Sequence, residues 1–153
     1  DKSGENTTEK VAKLTKSTGS EVWAGTFFEL AQPINLAASP KITMKSWAPK
    51  AGRVIKMKIE NKDASITHEV DVVNSKSASW EKLTFDFSQA PAANYVRIVV
   101  FYDFGVSGDG AAYYFDEIKK GIRIKISIPF LFHCLIVSLF FVKNSFYTFT
   151  YIG

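Results

Sequence analysis

Two carboxylates in the segment Glu69-Val70-Asp71-Val72-Val73-Asn74 have a spacing that suits acid–base chemistry. Residues two apart on a strand point to the same face, so Glu69 and Asp71 would lie side by side. Two carboxylates about 5 Å apart can serve as nucleophile and acid/base on a glycosidic bond. A third carboxylate at position 74 would complete a hydrolytic set, but this position holds Asn74, which cannot transfer a proton. We therefore interpret the segment as a solvated strand face and predict that the chain is not an enzyme.

Other combinations of reactive residues fail on spacing or number. Asp116 and Glu117 are adjacent in a predicted strand, so we expect them on opposite faces, where they form no catalytic pair. The histidines, His68 and His133, are far apart in sequence, and the single cysteine, Cys134, has no partner for a disulfide or a cysteine-based zinc site. No nucleophile elbow and no phosphate-binding loop pattern occurs in the sequence.

The positive charge of the chain is concentrated at its C-terminal end. The sequence has 153 residues, of which 46% are hydrophobic and 22% charged, which indicates one globular domain. The net charge of +4 arises beyond residue 118, where no acid occurs and the basic residues are Lys119, Lys120, Arg123, Lys125 and Lys143. The body before them is close to neutral, so we expect no nucleic-acid binding.

The body reads as a series of short strands. Segments 22–30, 41–47, 53–60, 67–73, 81–87, 95–102 and 111–118 are apolar at alternate positions or throughout, and turn-forming residues separate them. Tyr95 to Tyr102 is nearly continuous apolar, so we expect it to lie centrally and covered on both sides. Asn6 and Glu9 predict a short N-terminal helix over residues 7–14. The expected fold is therefore all-β, an antiparallel β-sandwich.

A hydrophobic tail follows this body. Residues 126–142 (ISIPFLFHCLIVSLFFV) carry no charge and are at the short end of the length that spans a membrane. Three interpretations stay open: a marginal membrane anchor, a pair of buried strands, or a non-native continuation of the reading frame, which we favour. We divide the chain into a module over residues 1–120 and a tail over residues 121–153. Because the sequence begins at Asp1, we expect a mature fragment or an excised module.

The order of several segments resembles a known family. VWAGTFFEL, KITMKSWAPKAGRVIKMKIEN, SWEKLTFDFS and VVFYDFGVSGDGAAYYFDEI are similar to galactose-binding-like jelly-roll modules of secreted Bacteroidota proteins, over residues 1–120. That resemblance implies a secreted or cell-surface protein that binds polysaccharide without catalysis and is covalently linked to catalytic or surface domains. The family's first strand would precede Asp1. Membrane contact would involve only the tail.

The resemblance also implies how a glycan is held, since such modules stack sugar rings on aromatic side chains. We expect carbohydrate contacts from Trp47, Trp23, Lys45 and Tyr113. Trp47 falls on the same strand face as Lys45, so both binding and packing stay open for it. Trp23 alternates with Gly25 and Phe27, where Gly25 would either let a ligand approach the backbone or mark a bulge, and we favour packing for Trp23. Trp80, which precedes the LTFDF strand, is expected to be buried.

Calcium is the cofactor that the resemblance suggests. In similar jelly rolls an aspartate at the place of Asp116 helps to hold structural calcium, and Asp103 and Asp109 are the further candidate metal ligands. Calcium requires six to eight oxygen ligands. The alternative is that Asp116 only forms a hydrogen bond to a neighbouring loop.

Two other functions compete with carbohydrate binding. The first is a structural or adhesive spacer with no sugar site. The second, which the Asn74 substitution disfavours, is a fragment of a laminarinase-like hydrolase, whose signature Glu-x-Asp-x-x-Glu is similar to residues 69–74.

Overall fold

The computed structural model describes residues 6–121, 124–125 and 148–152. The strands are β1 (Val11–Thr15), β2 (Gly25–Ile34), β3 (Lys41–Ala48), β4 (Val54–Glu60), β5 (Thr67–Val73), β6 (Ser79–Asp86), β7 (Tyr95–Tyr102), β8 (Ala112–Lys120), β9 (Ile124–Lys125) and β10 (Thr148–Ile152).

These strands form two antiparallel sheets. The first sheet has the order β10-β1-β8-β3-β6, with β9 added to β8, and the second has the order β2-β7-β4-β5. Alternate residues of both sheets meet in one core, which includes Ile42 and Met44 of the first sheet and Ile55 and Met57 of the second. This alternation of buried and outward residues is what two packed sheets require. The predicted antiparallel β-sandwich is thereby confirmed.

The predicted helix over residues 7–14 is wrong. Residues 11–15 form β1, which pairs with β8 and turns Ala12 and Leu14 into the core. The Asn6 side-chain oxygen accepts a hydrogen bond from the backbone nitrogen of Thr8, which forms an Asx turn and not a helix cap. The open edge of β8 supplies hydrogen bonds along β1, and these outweigh the weak local preference for a helix.

The predicted central position of Tyr95–Tyr102 is correct within its sheet. This strand, β7, lies between β2 and β4. The expectation that both of its faces are covered is only partly met, because Ile98 and Val100 are buried whereas Arg97 and Val99 are half-buried on the outer side.

A bulge interrupts the pairing of β8 with β3. Lys45 lies opposite Asp116, but Thr43 lies opposite Lys119, so β8 contains one extra residue. Glu117 takes that place with a left-handed φ of 46°. Both carboxylates of the pair therefore lie beside Lys45, and the expectation that they point to opposite faces is wrong.

Part of the tail joins the sandwich. β9 pairs with β8, and β10 pairs with β1 along the edge of the first sheet. Residues 126–147, which include the uncharged segment, lie outside the described residues, so the interpretations of the tail stay predictions. The described part of the chain contains no helix that is long and apolar enough to cross a membrane.

Candidate functional site

The outer face of the second sheet carries aromatic side chains on the half formed by β2 and β7. Phe27 of β2 is 46% exposed, and Trp23, just before this strand, is 44% exposed. Phe101 of β7 is half-buried and packs edge-to-face on Phe104, with ring centroids 5.4 Å apart. Gly25 makes this arrangement possible, because a Cβ atom there would lie 2.5 Å from Cδ1 of Phe101. The result is a partly exposed aromatic surface.

The other half of this face, formed by β4 and β5, is charged. In cross-strand register, Phe27 is followed by Val99, Lys58 and Glu69. The Lys56 ammonium contacts Glu69 and Asp71 at 2.9 Å each. It also lies 4.4 Å from the centroid of the Phe104 ring, so the charged half adjoins the aromatic half directly.

Arg97 connects the two halves. Its guanidinium donates hydrogen bonds to Glu29 at 2.6 Å and to Glu60 at 2.9 Å, and it lies 5.3 Å from the Phe27 ring centroid. Glu60 also contacts Lys58 at 2.9 Å. The most exposed aromatic ring of the sheet is thus bordered by fixed hydrogen-bonding groups.

The ion pairs set the protonation of this face. Burial alone would lower the pKa of Lys56, but hydrogen bonds with Asp71 and Glu69 outweigh it and raise that pKa. Burial alone would raise the pKa of Glu60, yet hydrogen bonds from Lys58 and Arg97 lower it. A general acid requires the opposite shift. Both shifts favour the charged forms, so neither Lys56 nor Glu60 suits proton transfer near neutral pH.

In residues 69–74, Glu69 and Asp71 lie on one face of β5, and Asn74 follows the strand in place of a third carboxylate. The side chains of Glu69 and Asp71 are 42% and 52% exposed, and both hold Lys56. Asn74 is buried, accepts a hydrogen bond from the Arg53 backbone at 2.7 Å and donates to the carbonyls of Lys50 and Lys76. Asn74 therefore closes a loop, in agreement with the interpretation from the sequence.

The outer face of the first sheet carries the other two tryptophans. Trp47 lies opposite Trp80 of β6 and Tyr114 of β8, and its ring meets Tyr114 edge-to-face at 5.3 Å. Trp80 is 5% exposed, as predicted, whereas Trp47 is half-buried. The Lys45 ammonium contacts Glu117 at 2.8 Å. Trp47 and Lys45 share one face, as expected, whereas Trp23 precedes β2 of the other sheet, so the two candidate tryptophans lie on segments of different sheets.

The structure places Tyr113 in the core, so it offers no surface for stacking. Its ring is 2% exposed and stacks on Tyr102 at 4.6 Å between centroids. Burial raises the pKa of Tyr113 to about 12, with Asp103 and Asp109 adding to the shift and Arg53 opposing it. The outward residue of the pair is Tyr114. Adjacent tyrosines fit either strand register equally well, so the sequence could not distinguish them.

Lys16, which the sequence did not indicate as a functional residue, contacts the segments next to the aromatic half of the second sheet. Its side chain is buried, and its ammonium donates to the carbonyls of Asp103 at 2.8 Å and Tyr102 at 3.1 Å. It also approaches the carbonyl of Val22 at 3.4 Å. Burial lowers the pKa of Lys16, while Asp103 and Asp109 oppose that shift. Lys16 thereby ties together the segments that carry Trp23 and Phe104.

The three candidate metal ligands lie in separate local contacts. Asp103 pairs with Arg53 at 3.1 Å, Asp109 accepts a hydrogen bond from the Ala111 backbone at 2.9 Å, and Asp116 accepts one from the Thr8 hydroxyl. The residues that the structure describes contain no group of three histidine, cysteine or carboxylate side chains that could hold a metal ion. The proposed ligand set is thus not brought together, and structural calcium stays a prediction.

Two antiparallel sheets and a face that is half aromatic and half charged describe a β-sandwich module. The fold is similar to the crystal structure of a family 30 carbohydrate-binding module, with a TM-score of 0.53, 14% identity, and coverage of 79% of this chain and 72% of that chain. A CBM4 structure matches at 20% identity with a TM-score of 0.41, over 72% of this chain and 69% of that chain. No protein-family model and no curated protein matches the chain.

Proposed function

We propose that this chain is a non-catalytic, extracellular or cell-surface module that binds polysaccharide through the outer face of its second sheet. The observation that carries the proposal is the position of Phe27, an aromatic ring 46% exposed in the middle of a strand and directly beside the Arg97 guanidinium. In the strand register Phe27 lies diagonally across from the half-buried Phe101, and contiguous apolar side chains on a sheet face are typical of a binding surface. The likeness of the fold to a carbohydrate-binding module supports the same function.

The proposed mechanism combines stacking with hydrogen bonds. The apolar C–H faces of two sugar rings along the chain would pack on Phe27 and Trp23. The carboxylates of Glu29 and Glu69 and the Lys58 ammonium would exchange hydrogen bonds with sugar hydroxyls. These groups are already fixed by their mutual ion pairs, so little side-chain entropy is lost on binding. Attachment to a catalytic or surface domain would then raise the local concentration of that domain on the polymer.

An affinity gel with neutral polysaccharides (laminarin, xylan and cellulose derivatives) tests the proposal. We expect retardation of the chain, and a loss of about tenfold in affinity for Phe27→Ala, because an exposed aromatic anchor is the kind of residue that dominates an interface. Ile66→Ala serves as the control, since Ile66 is an exposed apolar residue in the loop between β4 and β5. Equal losses for both variants, or none for Phe27→Ala, would contradict the assignment of this face.

A second candidate function is a structural spacer. The observation in its favour is that Lys56, Lys58 and Arg97 are already bound to carboxylates of the same face, so these cations are satisfied without a ligand. The absence of any retardation across the polysaccharide panel would support the spacer and reject the sugar site.

A further inference from the structure

The outer face of the first sheet carries a row of aromatic and basic residues. In cross-strand register, Trp80 of β6 is followed by Trp47 of β3, Tyr114 of β8 and Lys13 of β1. Directly opposed residues on neighbouring strands have side chains close enough to interact. Trp47, Tyr114 and Lys13 are all half-buried, so the row is partly open to solvent.

This face has more cations than anions. Among the residues whose burial the structure describes, its outward charged residues are the cations Lys13, Lys41, Lys45, Lys82 and Lys119 and the anions Asp86, Asp116 and Glu117. Each anion has a partner: Asp86 is near Lys41 at 3.9 Å, Asp116 binds the Thr8 hydroxyl, and Glu117 binds both Lys45 and Lys119.

Two lysines are therefore left over. Among the residues that the structure describes, neither Lys13 nor Lys82 forms a hydrogen bond or ion pair through its ammonium group. Lys82 is exposed and lies directly opposite Lys45, but Glu117 binds Lys45 and Lys119, so Lys82 has no carboxylate partner of its own among the described residues. The second sheet differs, because its outward lysines and Arg97 bind carboxylates.

We propose that the outer face of the first sheet is a second binding site, separate from the one on the second sheet, for a polysaccharide that carries carboxylate or sulfate groups. A sugar ring would pack against the exposed parts of Trp47 and Tyr114, and Lys13 and Lys82 would bind the anionic groups. These lysines lie on β1 and β6, three strand spacings or roughly 14 Å apart across the sheet. The site therefore suits an oligosaccharide segment that crosses the strands, and not a single sugar.

The test measures binding of the full chain to polygalacturonate, which carries carboxylates, to dextran sulfate, and to a neutral glucan as reference. We expect the double variant Lys13→Gln/Lys82→Gln to bind at least one polyanion about tenfold more weakly and the neutral glucan unchanged. The charge-matched control is Lys50→Gln/Lys62→Gln, which removes two exposed lysines from the loops between β3 and β4 and between β4 and β5. Trp47→Ala should weaken binding of the same polyanion, and circular dichroism checks that each variant is folded.

The outcomes separate this proposal from the proposed function. Equal losses for the two double variants would show general attraction of a basic chain to polyanions and would overturn the second site. Binding of the neutral glucan alone, dependent on Phe27, would leave the proposed function standing and reject the second site. Polyanion binding that depends on Lys13, Lys82 and Trp47, without binding of the neutral glucan, would support the second site and reject the proposed function. The polyanion that binds more tightly identifies carboxylate or sulfate as the anionic group.

Discussion

At the scale of single residues, Gly25 determines whether the aromatic half of the second sheet can form. A Cβ atom at this position would lie 2.5 Å from the Phe101 ring and 2.7 Å from the Val100 carbonyl oxygen. We expect Gly25→Ala to destabilise the fold by about 1–3 kcal/mol, as overpacking does, and to displace Phe101. Urea unfolding measures the effect, with Val73→Ala at an exposed position as control. A stability equal to that of the unaltered chain would show that Phe101 does not need this space.

Tyr113 makes stability depend on alkaline pH. Burial raises its pKa in the folded chain to about 12, against about 10 in the unfolded chain. Its contribution is complete below pH 10 and is lost as pH rises towards 12, because the unfolded state releases the phenolic proton first. We expect the free energy of unfolding to fall by up to about 1.4 kcal/mol per pH unit for this residue.

Urea unfolding at pH 8, 10 and 11 checks the expected dependence, and Tyr113→Phe should make the decline shallower. The remaining slope has a cause in Tyr102, whose pKa burial also raises. An identical slope in Tyr113→Phe would assign the alkaline transition to other groups.

At the scale of strands, Lys56 fastens the edge strand β5 to β4. Its ammonium holds Glu69 and Asp71, the two outward carboxylates of β5, while Val70 and Val72 pack against the core from the other side. We expect Lys56→Met to cost about 1–2 kcal/mol, because it breaks two charge-assisted contacts of a largely buried ammonium. Hydrogen exchange should accelerate in β5 and stay unchanged in β3. Uniform acceleration in both strands would show that the effect is global.

The alternation of apolar residues in the sequence predicted most of the strands. It failed where a local preference conflicts with a tertiary contact. The seven predicted strands correspond to β2–β8, since alternation such as Ile55-Lys56-Met57-Lys58 admits one register. β1 was missed because Val11 and Leu14 also fit a helical spacing, and only the exposed edge of β8 decides between the two. The bulge at Glu117 could not be predicted, because no glycine or proline lies beside it in the sequence.

The candidate site was predictable only in part, for a related reason. In the sequence the tryptophans stood out as candidates for stacking. Of the aromatic residues with described burial, the one most exposed on a sheet is Phe27, which lies near the half-buried Phe101, and Trp23 precedes the same strand. The alternation of Trp23, Gly25 and Phe27 was visible in the sequence, but the partner Phe101 comes from a distant strand. Which rings share a sheet depends on strand order, and strand order cannot be read from periodicity.

At the scale of the whole molecule, the absence of hydrolysis is a prediction. Retaining hydrolysis needs a nucleophile and a proton-donating partner, yet Glu69 and Asp71 both hold Lys56 and Asn74 closes a loop. We expect no release of reducing sugars from laminarin above the buffer blank. Asp71→Asn provides the control, since residual turnover from a contaminating enzyme would be unaffected by it. Turnover that this substitution abolishes would establish a hydrolase.

The two outer faces differ in charge, and that difference organises the molecule. The second sheet pairs its cations internally, whereas the first sheet leaves Lys13 and Lys82 without partners among the described residues. A β-sandwich with two such faces could contact two different polymers at once. Its effect in a polysaccharide matrix would then be to crosslink as well as to attach.

The second sheet ends in β5 on one side and in β2, which contains Pro33, on the other. An unprotected edge invites a neighbouring copy to add its own strand, but β5 presents Glu69 and Asp71 along its outward side and proline cannot donate a hydrogen bond to a ladder. Both borders of the sheet therefore oppose the addition of a strand from a neighbouring copy. If the module binds polysaccharide as proposed, we expect copies crowded along one polymer to stay separate.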